Sequence, residues 1–265
     1  MIKKIIALFL GIYIVLMVIF YLVQERIIFQ SKKLDTNFTY TFAKKFEEVQ
    51  FTTSDKAVIS ALHFKVDNPK GVLLYFHGNK GNLQRWGTMV SPYTQYNYDV
   101  FVIDYRGYGK STGKRSEQAL YNDAEEAYKY LNTQLGYAES EIVVYGRSLG
   151  CTFASYVASK NKPRHLILEA PFNSLIGVIK SKFPLFPYQL LLKYPFKTYA
   201  LLPKVTSPTV IFHGDKDRLI AIDSGKKLFE VSNKEWTTFV TIKNGTHHNL
   251  TTFEIYKATM KAILE

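Results

Sequence analysis

The stretch Glu141-Ile-Val-Val-Tyr145-Gly146-Arg147-Ser148-Leu149-Gly150 decides the fold. Its first half is a continuous apolar run, the pattern of a strand covered on both faces. From Leu149 to Lys160 the spacing turns helical and stops at Asn161 and Pro163. Between them stands a serine with a glycine two positions to either side. A chain that reverses this sharply has no room for side chains at the flanking positions, and the reversal exposes the serine Oγ above the sheet. The pentapeptide alone is common; its place between a buried strand and a helix makes Ser148 a candidate nucleophile.

Working outward, Gly71 to His77, Asp99 to Asp104, His165 to Glu169 and Thr209 to His213 read as strands, as does Thr237 to Ile242. Glu48 to Thr52 and Val58 to Phe64 read as an earlier, antiparallel pair. Helical patterns fall between, at Ser116 to Leu135 with Gly136 as its stop and near Asp223 to Val231. A last helix follows, with Thr251-x-x-Glu254 as a capping box. Strands alternating with helices predict an α/β fold, a mostly parallel sheet with helices on both faces. Such sheets carry their chemistry at the carboxyl ends of the strands. His77-Gly78-Asn79, Asp104, Ser148, Glu169, Asp217 and His248 all follow a predicted strand.

A serine nucleophile needs a base, and the base an orienting acid; behind a turn of this kind they follow in the order Ser, Asp, His. Gly214-Asp215-Lys216-Asp217 offers two acids. Asp217 is preferred because it lies far enough past the strand to turn back toward a histidine; Asp215 and Glu169 are alternatives. Asn244-Gly245-Thr246-His247-His248-Asn249 supplies two adjacent histidines, one of which is expected to point into the site. The oxyanion formed on attack calls for preorganised backbone N–H donors. These are expected from Leu149, next to the nucleophile, and from Asn79 in the His77-Gly78-Asn79-Lys80-Gly81-Asn82 loop, with Lys80 as alternative. This chemistry needs no metal or cofactor. A phosphate-cradling role for that loop is weak, since no Gly-Lys-Ser/Thr follows.

At the other end, Ile5 to Val23 is 19 residues without charge or proline. As a helix it spans about 28 Å, close to the hydrocarbon thickness of a bilayer. Bulky residues stand where a signal peptide would need small ones, so an uncleaved anchor over residues 1–26 is expected. Lys3 and Lys4 on one side against Arg26, Lys32 and Lys33 on the other leave its orientation open. A connector, 27–45, then leads to a catalytic domain, 46–265. The single cysteine among 265 residues excludes an intramolecular disulfide and a cysteine zinc site. The net charge of +12 comes from scattered lysines rather than a basic block, which fits a membrane surface better than nucleic acid.

Five blocks in order, His77-Gly78-Asn79-x-Gly81-Asn82, Asp104-Tyr105-Arg106-Gly107-Tyr108-Gly109-x-Ser111, Gly146-Arg147-Ser148-Leu149-Gly150, His213-Gly214-x-x-Asp217 and Gly245-x-x-His248-Asn249, resemble the alpha/beta-hydrolase superfamily. Their wording is similar to that of membrane-anchored alpha/beta-hydrolase-domain proteins and depalmitoylases. The resemblance implies Ser148 as nucleophile, Asp217 as acid, His248 as base, and Asn79 with Leu149 at the oxyanion hole. His247 stands where the family often has glycine, Leu250 where it has aspartate, and Cys151 where it has a small residue. The segment at about 173–204, rich in Phe, Tyr, Leu, Pro and Lys, would form a small cap over Ser148. An apolar cap beside an anchored site suggests a lipid-like ester or thioester with a hydrophobic acyl group. A serine peptidase of the same fold and a non-catalytic, membrane-tethered interaction protein are the alternatives.

Overall fold

The chain begins with one uninterrupted helix, α1 (Ile2–Ile28), of 27 residues, about 40 Å long at the α-helical rise. The computed structural model describes residues 1–182 and 186–265. Helix α1 leaves most of its apolar side chains uncovered, and it is long and apolar enough to cross a membrane. No slack follows it. Phe29 is buried, and β1 (Gln30–Ser31) pairs in parallel with β5 (Lys80–Gly81). Within residues 27–45, expected as a connector, Phe29 and Tyr40 are buried against the body, while most of the stretch remains exposed.

The main sheet has eight strands: β2 (Phe46–Thr52), β3 (Val58–Phe64), β4 (Val72–Phe76), β6 (Asp99–Ile103), β7 (Ile142–Arg147), β8 (His165–Glu169), β9 (Thr209–Gly214) and β10 (Thr237–Ile242). Their order is β10-β9-β8-β7-β4-β6-β3-β2. β3 is antiparallel to β2 and to β6, and the remaining pairs are parallel. The apolar runs follow from this: β4, β6 and β7 are buried along their whole length, whereas edge strand β2 is not. After β6 the chain crosses back over β4 to lay down β7. The carboxyl ends of β4 and β7 thus flank the switch point, where open α/β sheets leave a crevice.

Both faces are covered. α3 (Glu117–Thr133), α4 (Gly150–Ala158) and α7 (Ile222–Val231) bury Leu120, Phe153 and Leu228 on one; α2 (Leu83–Val90) and α8 (Glu254–Leu264) bury Trp86 and Met260 on the other. Ser116 caps α3 by accepting from the Ala119 N–H at 3.1 Å, and Asn82 caps α2 through Gln84 at 3.1 Å; each is worth about 1 kcal/mol. Gly136, past the end of α3, takes a left-handed φ of +78°. The capping box expected at Thr251 and Glu254 does not form. Thr251 lies in a 3-10 turn, Leu250–Thr252, so the helix begins later and Phe253 precedes it without a side-chain cap.

Between β8 and β9 the chain forms α5 (Leu175–Lys182) and α6 (Tyr188–Leu191), the expected cap; residues 183–185 of that stretch lie outside the described residues.

Candidate active site

β7 ends at Arg147 and α4 begins at Gly150, so Ser148 sits in the reversal itself, with φ at +51°. A left-handed serine costs about 1–3 kcal/mol and persists only where its surroundings fix it. Here the Ser148 N–H donates to the Glu169 carbonyl at 2.8 Å, and its own carbonyl accepts from the Cys151 N–H at 3.0 Å. The flanking glycines are steric necessities. A Cβ on Gly150 would fall on the Phe76 carbonyl, and one on Gly146 would meet the Cys151 Cα at 2.6 Å. Cys151 is buried with its Sγ toward the Gly146 carbonyl, and burial pushes its thiol well above the usual range, so it packs as an apolar group.

The loops after β9 and β10 are stitched together by the Asp215 N–H on the Ile242 carbonyl (3.2 Å) and the Lys216 N–H on the Gly245 carbonyl (2.9 Å). This brings Asp217 beneath the histidine loop. Its Oδ1 accepts from the N–H groups of Leu219 and Ile220, both at 2.8 Å, leaving Oδ2 for a histidine. Burial raises the Asp217 carboxyl, but the histidine and the Ile220 N–H outweigh it, and the carboxyl lies below its usual range. Asp215 is spent on the Asn244 N–H at 2.7 Å, and Glu169 on Tyr145 and Arg147. Neither touches a histidine ring.

The histidine that meets Asp217 is His247, not the expected His248. His247 Nδ1 lies 2.7 Å from Asp217 Oδ2, and its Nε2 lies 3.1 Å from Ser148 Oγ. His247 is buried; His248 is exposed, its ring edge-on to His247 at 5.2 Å. The cause is the turn. Asn249 Oδ1 accepts from both the N–H (2.7 Å) and the hydroxyl (2.9 Å) of Thr246, bending the chain so that His247 faces inward and His248 outward. The Thr246-x-x-Asn249 spacing is the signal in the sequence that marks this turn.

Arg147 was given no role from the sequence. Its Nη2 donates to the His247 carbonyl at 3.3 Å, its Nε pairs with Glu169 at 3.3 Å, and the guanidinium lies over the Trp86 ring. It fastens the serine turn to the histidine loop. His77 and His213 support strand ends, as expected: His77 contacts Asp104 at 3.2 Å, and His213 Nε2 donates to the Ile220 carbonyl at 2.9 Å.

Asn79 and Leu149 both line the cavity into which Ser148 opens, whereas Lys80 does not. Among the described residues the backbone N–H of neither Asn79 nor Leu149 is paired with a protein acceptor. The Asn79 loop is held in place by its side chain, which donates to the Ile28 carbonyl at 3.0 Å, and by Tyr108, which donates to the Asn79 carbonyl at 2.8 Å. The cavity measures about 490 Å³ and is mostly apolar. The cap supplies Leu175, Val178, Ile179, Phe186 and Tyr188, and the body Phe172, Leu219 and Ile220. A further wall comes from α1, through Phe20, Gln24, Ile27 and Ile28. Among the described residues no three His, Cys, Asp or Glu side chains cluster so as to hold a metal ion.

Residues 67–194 match the family described as Hydrolase_4, serine aminopeptidase, S33. The chain is 31% identical to the protein bem46 of Schizosaccharomyces pombe over 218 residues, 78% of this chain and 73% of that protein. The chain belongs to the alpha/beta-hydrolase family. It is also 34% identical over 170 residues to human alpha/beta hydrolase domain-containing protein 17B, covering 62% of this chain and 56% of that one. An uncharacterized membrane protein of Saccharomyces cerevisiae is 32% identical over 199 residues, 72% of this chain and 70% of the yeast protein. Among solved structures, an esterase of Pyrococcus furiosus superposes with a TM-score of 0.71 at 19% identity, over 89% of this hydrolase and 97% of the esterase. The protein is thus an alpha/beta hydrolase with a long apolar N-terminal helix.

Proposed function

We propose that this hydrolase is a membrane-anchored serine esterase or thioesterase that works through an acyl-enzyme on Ser148. The observation that carries the reading is the unbroken chain Asp217 Oδ2, His247 Nδ1, His247 Nε2, Ser148 Oγ, opening onto an apolar cavity of about 490 Å³. With Nδ1–H donated to the Asp217 carboxylate, the His247 Nε2 lone pair faces the serine hydroxyl, as a general base requires. Attack of Oγ on the substrate carbonyl passes its proton to Nε2. The oxyanion is received by the N–H groups of Asn79 and Leu149, a contribution typically worth several kcal/mol. Collapse expels the alcohol or thiol, which takes the proton from His247 and leaves the acyl group on Ser148. Water then enters, gives its proton to His247, and releases the acid and the free serine.

A hydrophobic acyl group is favoured because the cavity beside Ser148 is lined mainly by aliphatic and aromatic side chains and encloses a volume ordinary for a small-molecule site. The 27-residue α1 supports anchoring, as does the naming of the yeast relative as a membrane protein. The description of the matched family favours a peptidase as second reading. The test is covalent labelling of the full-length protein by a fluorophosphonate, followed by turnover of matched ester, thioester and amide substrates. Labelling abolished by Ser148→Ala, with ester or thioester turnover above amide, is expected. Labelling that persists in Ser148→Ala rejects the mechanism, and faster amide turnover moves the reading to the peptidase.

A further inference from the structure

Helix α1 does more than reach the body. Phe20, Gln24, Ile27 and Ile28 follow i, i+4, i+7, i+8 spacing and line the cavity, with Ile27 at its rim, 56% exposed; the opposite face, at Val18 for example, lines no part of it. The stripe is fastened to the cap. Gln24 is only 1% exposed, and both ends of its amide are used: Nε2 donates to the Leu191 carbonyl at 3.0 Å, and Oε1 accepts from the Lys193 N–H at 2.8 Å. One residue on, Glu25 accepts from the Tyr194 hydroxyl at 2.8 Å. Higher up, the Phe20 ring packs on Phe186 (6.1 Å) and Tyr188 (5.9 Å), and Tyr13 stacks on Phe186 at 5.7 Å.

The depth of these contacts is informative. Tyr13 and Phe20 both lie inside the uncharged run Ile5 to Val23. From Val23 back to Tyr13 is about 15 Å along the axis, roughly half the hydrocarbon thickness of a bilayer. A bilayer that takes up this run also takes up Phe186. Leu190, on α6 next to the Leu191 carbonyl that Gln24 holds, is 84% exposed.

We infer that α1 is itself a wall of the acyl-binding site, and that a single acyl chain of a membrane-resident ester or thioester passes from the bilayer along the Phe20–Gln24–Ile27 stripe to Ser148. This rests on the proposed serine mechanism and adds where the chain lies and how it arrives. The far end of the stripe, at Phe20, meets the chain where it leaves the hydrocarbon. The near end is adjacent to the chemistry, since the Ile28 carbonyl holds the Asn79 side chain.

The test uses full-length protein in lipid nanodiscs and two alkyl fluorophosphonates, one short and one long. The readout is the ratio of their labelling rates. Ile27→Trp should narrow the passage and lower the long-to-short ratio by roughly tenfold or more, the scale set by a few methylenes in an apolar pocket. Phe20→Ala, which removes the far wall without adding bulk, should lower it several-fold, and Val18→Trp on the exposed face should leave it unchanged. A ratio unaltered in both Ile27→Trp and Phe20→Ala overturns this inference and leaves the nucleophile assignment standing. Failure of both probes to label the folded wild type overturns the serine mechanism, and this inference with it.

Discussion

Replacing each of the adjacent histidines in turn is the most direct trial of the site. His247→Ala removes two hydrogen bonds at once, the 2.7 Å contact to Asp217 and the 3.1 Å contact to Ser148. The serine is left without a base, and the carboxylate orients nothing. Loss of a positioned general base costs about 10²–10⁴-fold, and groups that act as one unit fall toward the upper end. A fall of about 10⁴ in kcat/KM is expected, which is about 5 kcal/mol of transition-state stabilisation. His248→Ala removes an exposed ring bonded to neither partner. Partial desolvation, then the neighbouring His247 and Arg147, hold the His248 imidazole below its usual range. Its kcat/KM should stay within about threefold, the scale of a substitution that touches no reacting group. The assay is ester hydrolysis and fluorophosphonate labelling of the two variants side by side, with thermal unfolding to show that both are folded. A loss in His248→Ala equal to that in His247→Ala would refute the reasoning.

Three further outcomes are expected. Asp217 has a folded-state pKa below its unfolded value, so its contribution to stability is complete above about pH 4 and is lost as pH falls through the folded value; urea midpoints between pH 5 and pH 2 should therefore fall further in wild type than in Asp217→Asn. Arg106→Met leaves the fully buried Asp123 without the guanidinium that contacts it at Oδ1 and Oδ2, and a loss of about 3–5 kcal/mol should appear as a lowered unfolding midpoint. Cys151→Ala should label at the wild-type rate, since the thiol is buried and held protonated; abolished labelling in a folded variant would reassign the nucleophile.

The sheet was legible because burial leaves a mark on composition. Strands covered on both faces read as unbroken apolar runs, and His165–Glu169 is observed with the limits its pattern suggests. Val58–Phe64 and Thr237–Ile242 also keep their expected limits, but the alternation in the first suggests a half-exposed strand and the structure buries it almost throughout, and the second is an edge strand only partly buried. Ser148 was legible because its turn demands two glycines. The choice between His247 and His248 was not, because neighbouring loop residues differ only in which way the backbone turns them, and a hydrogen bond between Thr246 and Asn249 sets that direction. The capping box failed for a related reason: Thr251 and Glu254 have the right spacing, but tertiary packing of Leu250 holds the preceding residues in a tighter turn. Hydropathy revealed α1 and was silent on its inward face. Along the uncharged run Ile5 to Val23 the helix is apolar on every side, which does not tell a protein-facing side from a lipid-facing one, and the buried Gln24 stands just past that run.

The pairing of β1 with β5 has a mechanical consequence. Only Phe29 separates the end of α1 from the first paired residue, Gln30, and Phe29 is itself buried. The body therefore cannot swing on a tether. With α1 in a bilayer, the serine is held at one fixed height over the lipid surface, like a blade set in a plane. If Ser148 acts as proposed, cleavage would then depend on how far a bond projects from the membrane: a bond carried on a long stalk would pass out of reach however well its acyl chain fits.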